Sequence, residues 1–355
     1  MIDGDGSLVG VGGAFTTDAP LGMNTCTLIV GLASNGELRS DFGGSGAGAY
    51  CFDFAPEPPN GGTFKGHFED IAINPDDSFL ITTGLTNENH GAVAQFLANG
   101  TLDSAFGSAG VISVPYRSWR FARQSDGDTL LVGGNNKISI ERIDASGALD
   151  SSYGDAGILS FDTYTDGTQT NVWSARLNSR DQLLLSDSDL DPGSFALFQI
   201  ARIENNGTLD SSFNSAEQQP GIPGFVSLAI TENDSDGIAD AFPLADDRSF
   251  VVGNGSESSG SSISEFIVAG RLNDDASFDA GFGDADHAGW AQIVVGSNTI
   301  GSSMGVATLD AVGRVLVSTS VSDDASNACV ALLRFIPDQL FSGAFDETAP
   351  LACPN

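Results

Sequence analysis

Residues 142–154 read Arg142-Ile-Asp-Ala-Ser-Gly147-Ala-Leu-Asp150-Ser-Ser-Tyr153-Gly154, and this phrase decides the fold because the chain repeats it. It recurs at 96–107 (FLANGTLDSAFG) and 202–214 (RIENNGTLDSSFN), and in looser form at 32–43, 271–283 and 334–346. The turn position falls at Gly36, Gly100, Gly147, Gly207, Ala276 and Gln339, with separations of 64, 47, 60, 69 and 63 residues. A second phrase precedes each copy, a polar turn followed by a short apolar run, as in DDSFLITTG (76–84) and DGDTLLVGG (126–134). Two more short apolar runs complete each unit, for example VISVPY (111–116) and WRFARQ (119–124). Runs of about five residues punctuated by Gly, Asp, Asn and Ser are strands joined by turns. No stretch sustains an apolar period of 3.6, so helix content is expected to be very small.

Six units of four strands predict an all-β chain, a six-bladed β-propeller of four-stranded blades; a solenoid of stacked hairpins is the rival. In the usual inner-to-outer order, the inner strands are 68–74, 119–124, 171–177, 238–244 and 304–309. Only five are present, so the first blade is expected to lack its inner strand. The whole of 1–355 is read as a single propeller domain, with units near 1–66, 67–117, 118–170, 171–236, 237–301 and 302–355. An open first blade would invite self-association through its edge.

The pairing of D-G-x-L-L-V-G with R-[IL]-x-x-x-G-x-L-D-S-S-[FY]-G resembles the delta-60 repeat, a β-propeller family of bacterial, mostly secreted or surface proteins. The resemblance covers nearly the whole chain. Copies two to four match best; Arg39 replaces the repeat aspartate in copy one, Ala276 the turn glycine in copy five, and Gln339 and Phe341 the glycine and aspartate in copy six. The resemblance implies a fold more firmly than an activity. The simplest role for Asp103, Asp150, Asp210 and Asp279 is to cap backbone N–H groups in the turn.

Composition bounds the partners. The 355 residues hold 47 Asp+Glu against 14 Lys+Arg, a formal net charge of −33. Such a surface repels phosphate, which disfavours nucleic acid and anionic membranes. No apolar run is long enough to span a bilayer as a helix, so no membrane insertion is expected. A hydrophobic content of 41% supplies a core, unlike that of disordered acidic chains. Only Lys65 and Lys137 are lysines; an acidic, lysine-poor surface suits salty water, where counterions screen self-repulsion.

Cys26 and Cys329 occupy one repeat position, and Cys51 and Cys353 follow them by 25 and 24 residues. Disulfides Cys26–Cys51 and Cys329–Cys353 are expected, each joining the third strand of a terminal blade to the fourth. A zinc site and buried thiols are the alternatives, although no Cys-x-x-Cys spacing supports zinc. Disulfides imply a secreted, periplasmic or cell-surface location.

The sharpest local motif is Glu232-Asn-Asp234-Ser-Asp236-Gly237-Ile238-Ala-Asp240. Oxygen side chains at positions 1, 3, 5 and 9, with glycine at 6 and a backbone carbonyl at 7 (Ile238), suit one hard cation, Ca2+. The motif resembles the calcium loops of thrombospondin type 3 repeats; a solvated acidic turn is the other reading. Glutamate stands at position 1 and Pro243 at position 12, so the bidentate acid of an EF-hand is missing.

Other polar residues on or beside the inner strands are His67, Glu69, Asp70, Arg120, Arg123 and Arg176. At the axial mouth they would bind a metal or an anionic group, or plug the channel as ion pairs. Two functions follow. One is a calcium-binding module for a protein or glycan ligand. The other is a calcium-dependent hydrolase of lactones, esters or phosphoesters, with Asp70, Asp240 or Glu69 as nucleophile or base. A third reading is a structural module of a larger surface protein. Gly301-Ser-Ser303-Met-Gly305 fits G-x-S-x-G, but all three histidines precede it and its surroundings are Gly/Ser-rich, so it is not read as a nucleophile. The sequons at Asn99 and Asn206 fall in the repeat turn, where Asn-Gly is expected for geometric reasons.

Overall fold

The structure is a computed structural model that describes residues 6–16, 24–44, 46–52, 54, 67–84, 90–134, 137–162, 172–187, 198–214, 223–228, 237–259, 262–284, 286–293, 300–310, 312–322 and 328–337. Among them there is no helix. The strands fall into two compact units, residues 1–170 and 171–355.

The first unit contains three antiparallel sheets. They are β1 (Leu8–Thr16), β2 (Asn24–Leu32) and β3 (Ala49–Phe52); β4 (His67–Ile73), β5 (Phe79–Gly84), β6 (Gly91–Phe96) and β7 (Val111–Val114); and β8 (Arg117–Arg123), β9 (Thr129–Gly134), β10 (Ile138–Ile143) and β11 (Ile158–Phe161). The second unit holds β12 (Val172–Leu177), β13 (Leu183–Asp187), β14 (Phe198–Ile203) and β15 (Phe225–Leu228). Then come β16 (Gly237–Pro243), β17 (Ser249–Ser259), β18 (Ser262–Leu272) and β19 (Trp290–Ile293), followed by β20 (Ile300–Leu309), β21 (Val315–Ser322) and β22 (Ala328–Phe335). Each sheet is a meander in which sequential strands pair. These are the six blades of a β-propeller, three in each unit. Among the described residues the first blade holds its second, third and fourth strands. The fourth strand of the sixth blade would fall after residue 337, outside the described residues.

The repeat phrase acquires a physical meaning here. In blades three, four and five an arginine near the end of the third strand donates through Nε to the aspartate eight residues on: Arg142 to Asp150 at 2.7 Å, Arg202 to Asp210 at 2.6 Å and Arg271 to Asp279 at 2.8 Å. The other carboxylate oxygen caps the turn, accepting from the N–H of Ser152, Ser212 and Gly281. Each guanidinium also lies over the repeat aromatic, Tyr153, Phe213 or Phe282, 4.7–5.1 Å from the ring centroid. Blade two keeps the arrangement with a neutral partner, Gln95 Nε2 donating to Asp103 at 2.9 Å. Blade one rebuilds it. Gly31 stands where the arginine would be, because the Phe42 ring fills the space a Cβ would need. Arg39, in the place of the aspartate, covers the same ring from the turn at 5.4 Å.

Neighbouring blades are sewn together through the same turn. Gly43 N–H donates to Asn99 O and Gly107 N–H to Ser146 O, both at 2.8 Å, within the first unit. The aromatic of one blade sits against the turn glycine of the next: a Cβ on Gly100 would lie 2.6 Å from the Phe42 ring. That position needs a left-handed φ of +77° and also has no room for a side chain. Between blades two and three the apolar core is Leu80, Val93, Phe106, Val114, Phe121, Leu131 and Ile143. In the second unit a larger cluster, including Phe198, Phe213, Phe242, Phe250, Phe266 and Phe335, runs through all three blades.

Cys26 of β2 and Cys51 of β3 form a disulfide with Cα atoms 5.5 Å apart, joining third and fourth strands as expected. Cys329 lies in β22 opposite Val321; Cys353 lies outside the described residues.

Candidate functional site

The inner strands share a defect that aims side chains sideways. The register against the second strand shifts between Phe68 and Asp70, Ser118 and Arg120, Val172 and Ser174, and Ile238 and Asp240. One extra residue is thereby inserted at 69, 119, 173 and 239. A bulge of this kind re-aims the following residue, and that residue is Asp70, Arg120, Ser174 or Asp240.

Two of these side chains reach the next blade in the same way. Asp70 Oδ2 accepts from the backbone N–H of Phe121 at 2.9 Å, and Ser174 Oγ accepts from the N–H of Ala241 at 3.3 Å. Phe121 and Ala241 each follow the re-aimed residue of their own strand by one position. The bulge therefore presents an oxygen to a backbone donor of the neighbouring inner strand.

Asp240 is 4% exposed and is held by Arg176 of β12. Arg176 Nε donates to Oδ1 at 2.9 Å and Nη2 donates to Oδ2, a two-pronged pairing. Ala241 N–H also donates to Oδ1 at 2.9 Å. The Arg176 guanidinium lies 4.2 Å over the Phe242 ring, and its Nη2 approaches Ala307 O of β20 at 3.4 Å. One arginine thus links all three inner strands of the second unit. In the first unit Arg117 Nη2 pairs with Glu69 at 3.2 Å. Arg123 lies at the opposite end of β8 from Arg117, where its Nη1 donates to Thr129 Oγ1 across the hairpin. His67 begins β4 opposite Gly84, and Arg120 is half-buried.

The structure therefore brings together Arg176 with Asp240, and Asp70 with the β8 backbone. Among the described residues no group of three or more His, Cys, Asp or Glu is arranged to hold a metal. Of the calcium motif, Glu232, Asp234 and Asp236 lie outside the described residues. Asp240 has both oxygens bonded to Arg176, and Ile238 is a buried strand residue opposite Gly253.

Sequence reasoning did not anticipate Arg117, Ser174 or the exposure of Trp173. Trp173 occupies the bulge of β12 and is 49% exposed. The bulge that exposes it leaves no mark in the strand's composition. In the third blade, Glu141 is buried on β10 opposite Leu131 and Ile158, and burial pushes its carboxyl up to about 7.

No protein-family model matches the chain, and no curated protein matches it. Several solved propellers are similar at low identity. The Dos1 propeller is 12% identical with a TM-score of 0.46, over 90% of this chain and 68% of that one. The β-propeller domain of the Trilobed protease from Pyrococcus furiosus is 10% identical with a TM-score of 0.45, over 93% and 78%. The PQQ-bound aldose sugar dehydrogenase from Streptomyces coelicolor is 13% identical with a TM-score of 0.44, over 93% and 98%.

Proposed function

We propose that the chain is a secreted or cell-surface binding module of the delta-60 repeat type, taking a protein or glycan ligand and a structural calcium ion. The observation that carries this reading is the pairing of Asp240 with Arg176. Both oxygens of that carboxylate are engaged by the guanidinium rather than presented to a substrate. Asp70 is likewise engaged by the Phe121 backbone. The inner-strand acids that a hydrolase would need serve instead to hold blades together. On β12, the half-exposed Trp173 offers a flat apolar face with a polar N–H edge, the kind of side chain that anchors ligands at low entropic cost. The disulfide Cys26–Cys51 fits an oxidising compartment, and the spacing of Glu232, Asp234 and Asp236 supports calcium in that stretch.

The test is a glycan and protein array probed with the labelled full chain, alongside Trp173→Ala. Saturable binding that weakens in the variant supports the reading. Absence of any ligand together with turnover of an ester, lactone or phosphotriester would replace it with the hydrolase.

A further inference from the structure

Asparagine is followed by glycine at 35, 60, 99, 206 and 254. This pair is the one most open to deamidation, because glycine has no Cβ to shield its nitrogen. The chemistry needs no partner but water. The backbone nitrogen of the glycine attacks Cγ of the asparagine, a succinimide ring closes as ammonia leaves, and water then opens the ring to aspartate or isoaspartate. For that attack the glycine N–H must leave its hydrogen bond, and the side-chain amide must leave its own contacts. The cost of opening the turn therefore sets the rate in a folded chain. Asn60 lies outside the described residues; the other four differ in that cost.

Asn254 and Gly255 are strand residues of β17, opposite Ile267 and Phe266 in the ladder. Asn99 and Asn206 sit in repeat turns that are locked on two sides. In each, Oδ1 accepts from the N–H and the hydroxyl of the threonine two residues on, at 3.0 and 2.7 Å from Thr101 and at 3.1 and 2.8 Å from Thr208. Gly100 N–H donates to Leu97 O at 2.7 Å, and Gly207 N–H to Glu204 O at 2.9 Å. Both glycines are buried. Gly100 lies beneath the Phe42 ring, and Asn99 O also accepts from Gly43 of the first blade.

Asn35 has the same turn without the cover. Gly36 N–H donates to Ala33 O at 2.8 Å, and Asn35 Oδ1 accepts from Glu37 N–H at 3.0 Å. Glu37 stands where the other two turns have threonine, so the hydroxyl bond to Oδ1 is missing. Its carboxylate instead accepts from Asn35 Nδ2 at 3.0 Å, in an exposed contact. Asn35 and Gly36 are both exposed. A Cβ on Gly36 would meet nothing within 4 Å among the described residues. Opening this turn breaks exposed hydrogen bonds, whereas opening the turn at Asn99 must also lift Gly100 from under the Phe42 ring.

We propose that Asn35 is a deamidation site, the first of the described Asn-Gly pairs to convert in the folded chain. The product alters the turn that made it. An aspartate at 35 loses the Nδ2 donor and sets a second carboxylate against Glu37, two like charges in place of a hydrogen bond. Isoaspartate adds a backbone atom inside the ring that Ala33 N–H closes on Glu37 O. The conversion is independent of calcium and of any ligand, so it stands apart from the function proposed above.

The experiment holds the folded full chain at pH 8 for days and reads aspartate and isoaspartate at each site by mass-spectrometric peptide mapping. A parallel sample is held in urea. In the folded chain Asn35 is expected to convert at least about tenfold faster than Asn99, Asn206 or Asn254. In urea the four rates are expected to converge, since all share the following glycine. Phe42→Leu, which uncovers Gly100, is expected to speed conversion at Asn99 and to leave Asn206 as in the wild type. If that variant unfolds, all sites speed up together and the wild-type order decides. A rate at Asn99, Asn206 or Asn254 equal to or above that at Asn35 in the folded wild type overturns the proposal. A lead for Asn35 that persists unchanged in urea also overturns it, because the preference would then lie in local sequence rather than in the fold.

Discussion

Arg202 and Asp210 form the buried centre of the fourth repeat: Nε donates to Oδ2 at 2.6 Å, with the two side chains 5% and 6% exposed. Gln182 and Ser212 share the same aspartate, and Arg202 extends to Asp274 of the next blade. Burial alone would raise the Asp210 pKa, but the hydrogen bonds from Ser212 and Arg202 outweigh it and hold the carboxyl below its ordinary value.

Asp210→Ala should therefore destabilise the chain by up to about 3–5 kcal/mol in urea unfolding, because it takes the carboxylate from the buried Nε of Arg202 and leaves Asp274 on Nη1 as the remaining ion pair. Adding Arg202→Met should recover much of that loss. Since the folded pKa is depressed, the contribution of Asp210 is present above the ordinary carboxylate range. It is lost as pH falls through the folded value. An Asp210→Ala variant as stable as wild type at pH 7 would contradict this account of the repeat.

Glu141 has the opposite sign. Its folded pKa of about 7 lies above the ordinary 4.5, so between those values the folded state keeps a proton that the unfolded state has lost. Its influence on stability is then a decline as pH rises from about 4.5 to 7, levelling above. Glu141→Gln removes the titration. Denaturation midpoints of the variant and wild type should converge near pH 4.5 and diverge by pH 8, the variant being the more stable. Parallel pH profiles would rule the burial effect out.

Asp70 separates charge from hydrogen bonding. Asp70→Asn retains an acceptor for Phe121 N–H and should change stability little. Asp70→Ala leaves that donor without the side-chain acceptor and should cost about 1–3 kcal/mol. Equal losses in the two variants would show that charge, not the inter-blade bond, matters.

Much of this was legible in the sequence because it is local and repeated. Strand order, the turn glycines and the Cys26–Cys51 pairing follow from spacing alone, and the capping role of the repeat aspartates from residue type. Their partnership with Arg142, Arg202 and Arg271 was present in the repeat at a constant spacing of eight, yet the hairpin geometry is what makes that spacing a contact. The site was less legible. Arg176 and Asp240 are 64 residues apart, and nothing in either segment announces the other. The inner-strand bulges, which decide where Asp70 and Ser174 point, fall at Glu69, Trp119, Trp173 and Ala239, with no glycine to mark them in the sequence. Asp240 matched a calcium spacing in one dimension while its strand turned it towards an arginine in three.

The claim that the inner-strand acids hold blades together rather than carry chemistry is tested most directly by one turnover measurement. Wild type and Asp240→Asn are assayed against chromogenic esters, lactones and phosphotriesters, with Ca2+ and with EDTA. The account predicts no turnover above buffer in either protein under either condition. Calcium-dependent turnover by the wild type that disappears in a folded Asp240→Asn would contradict it.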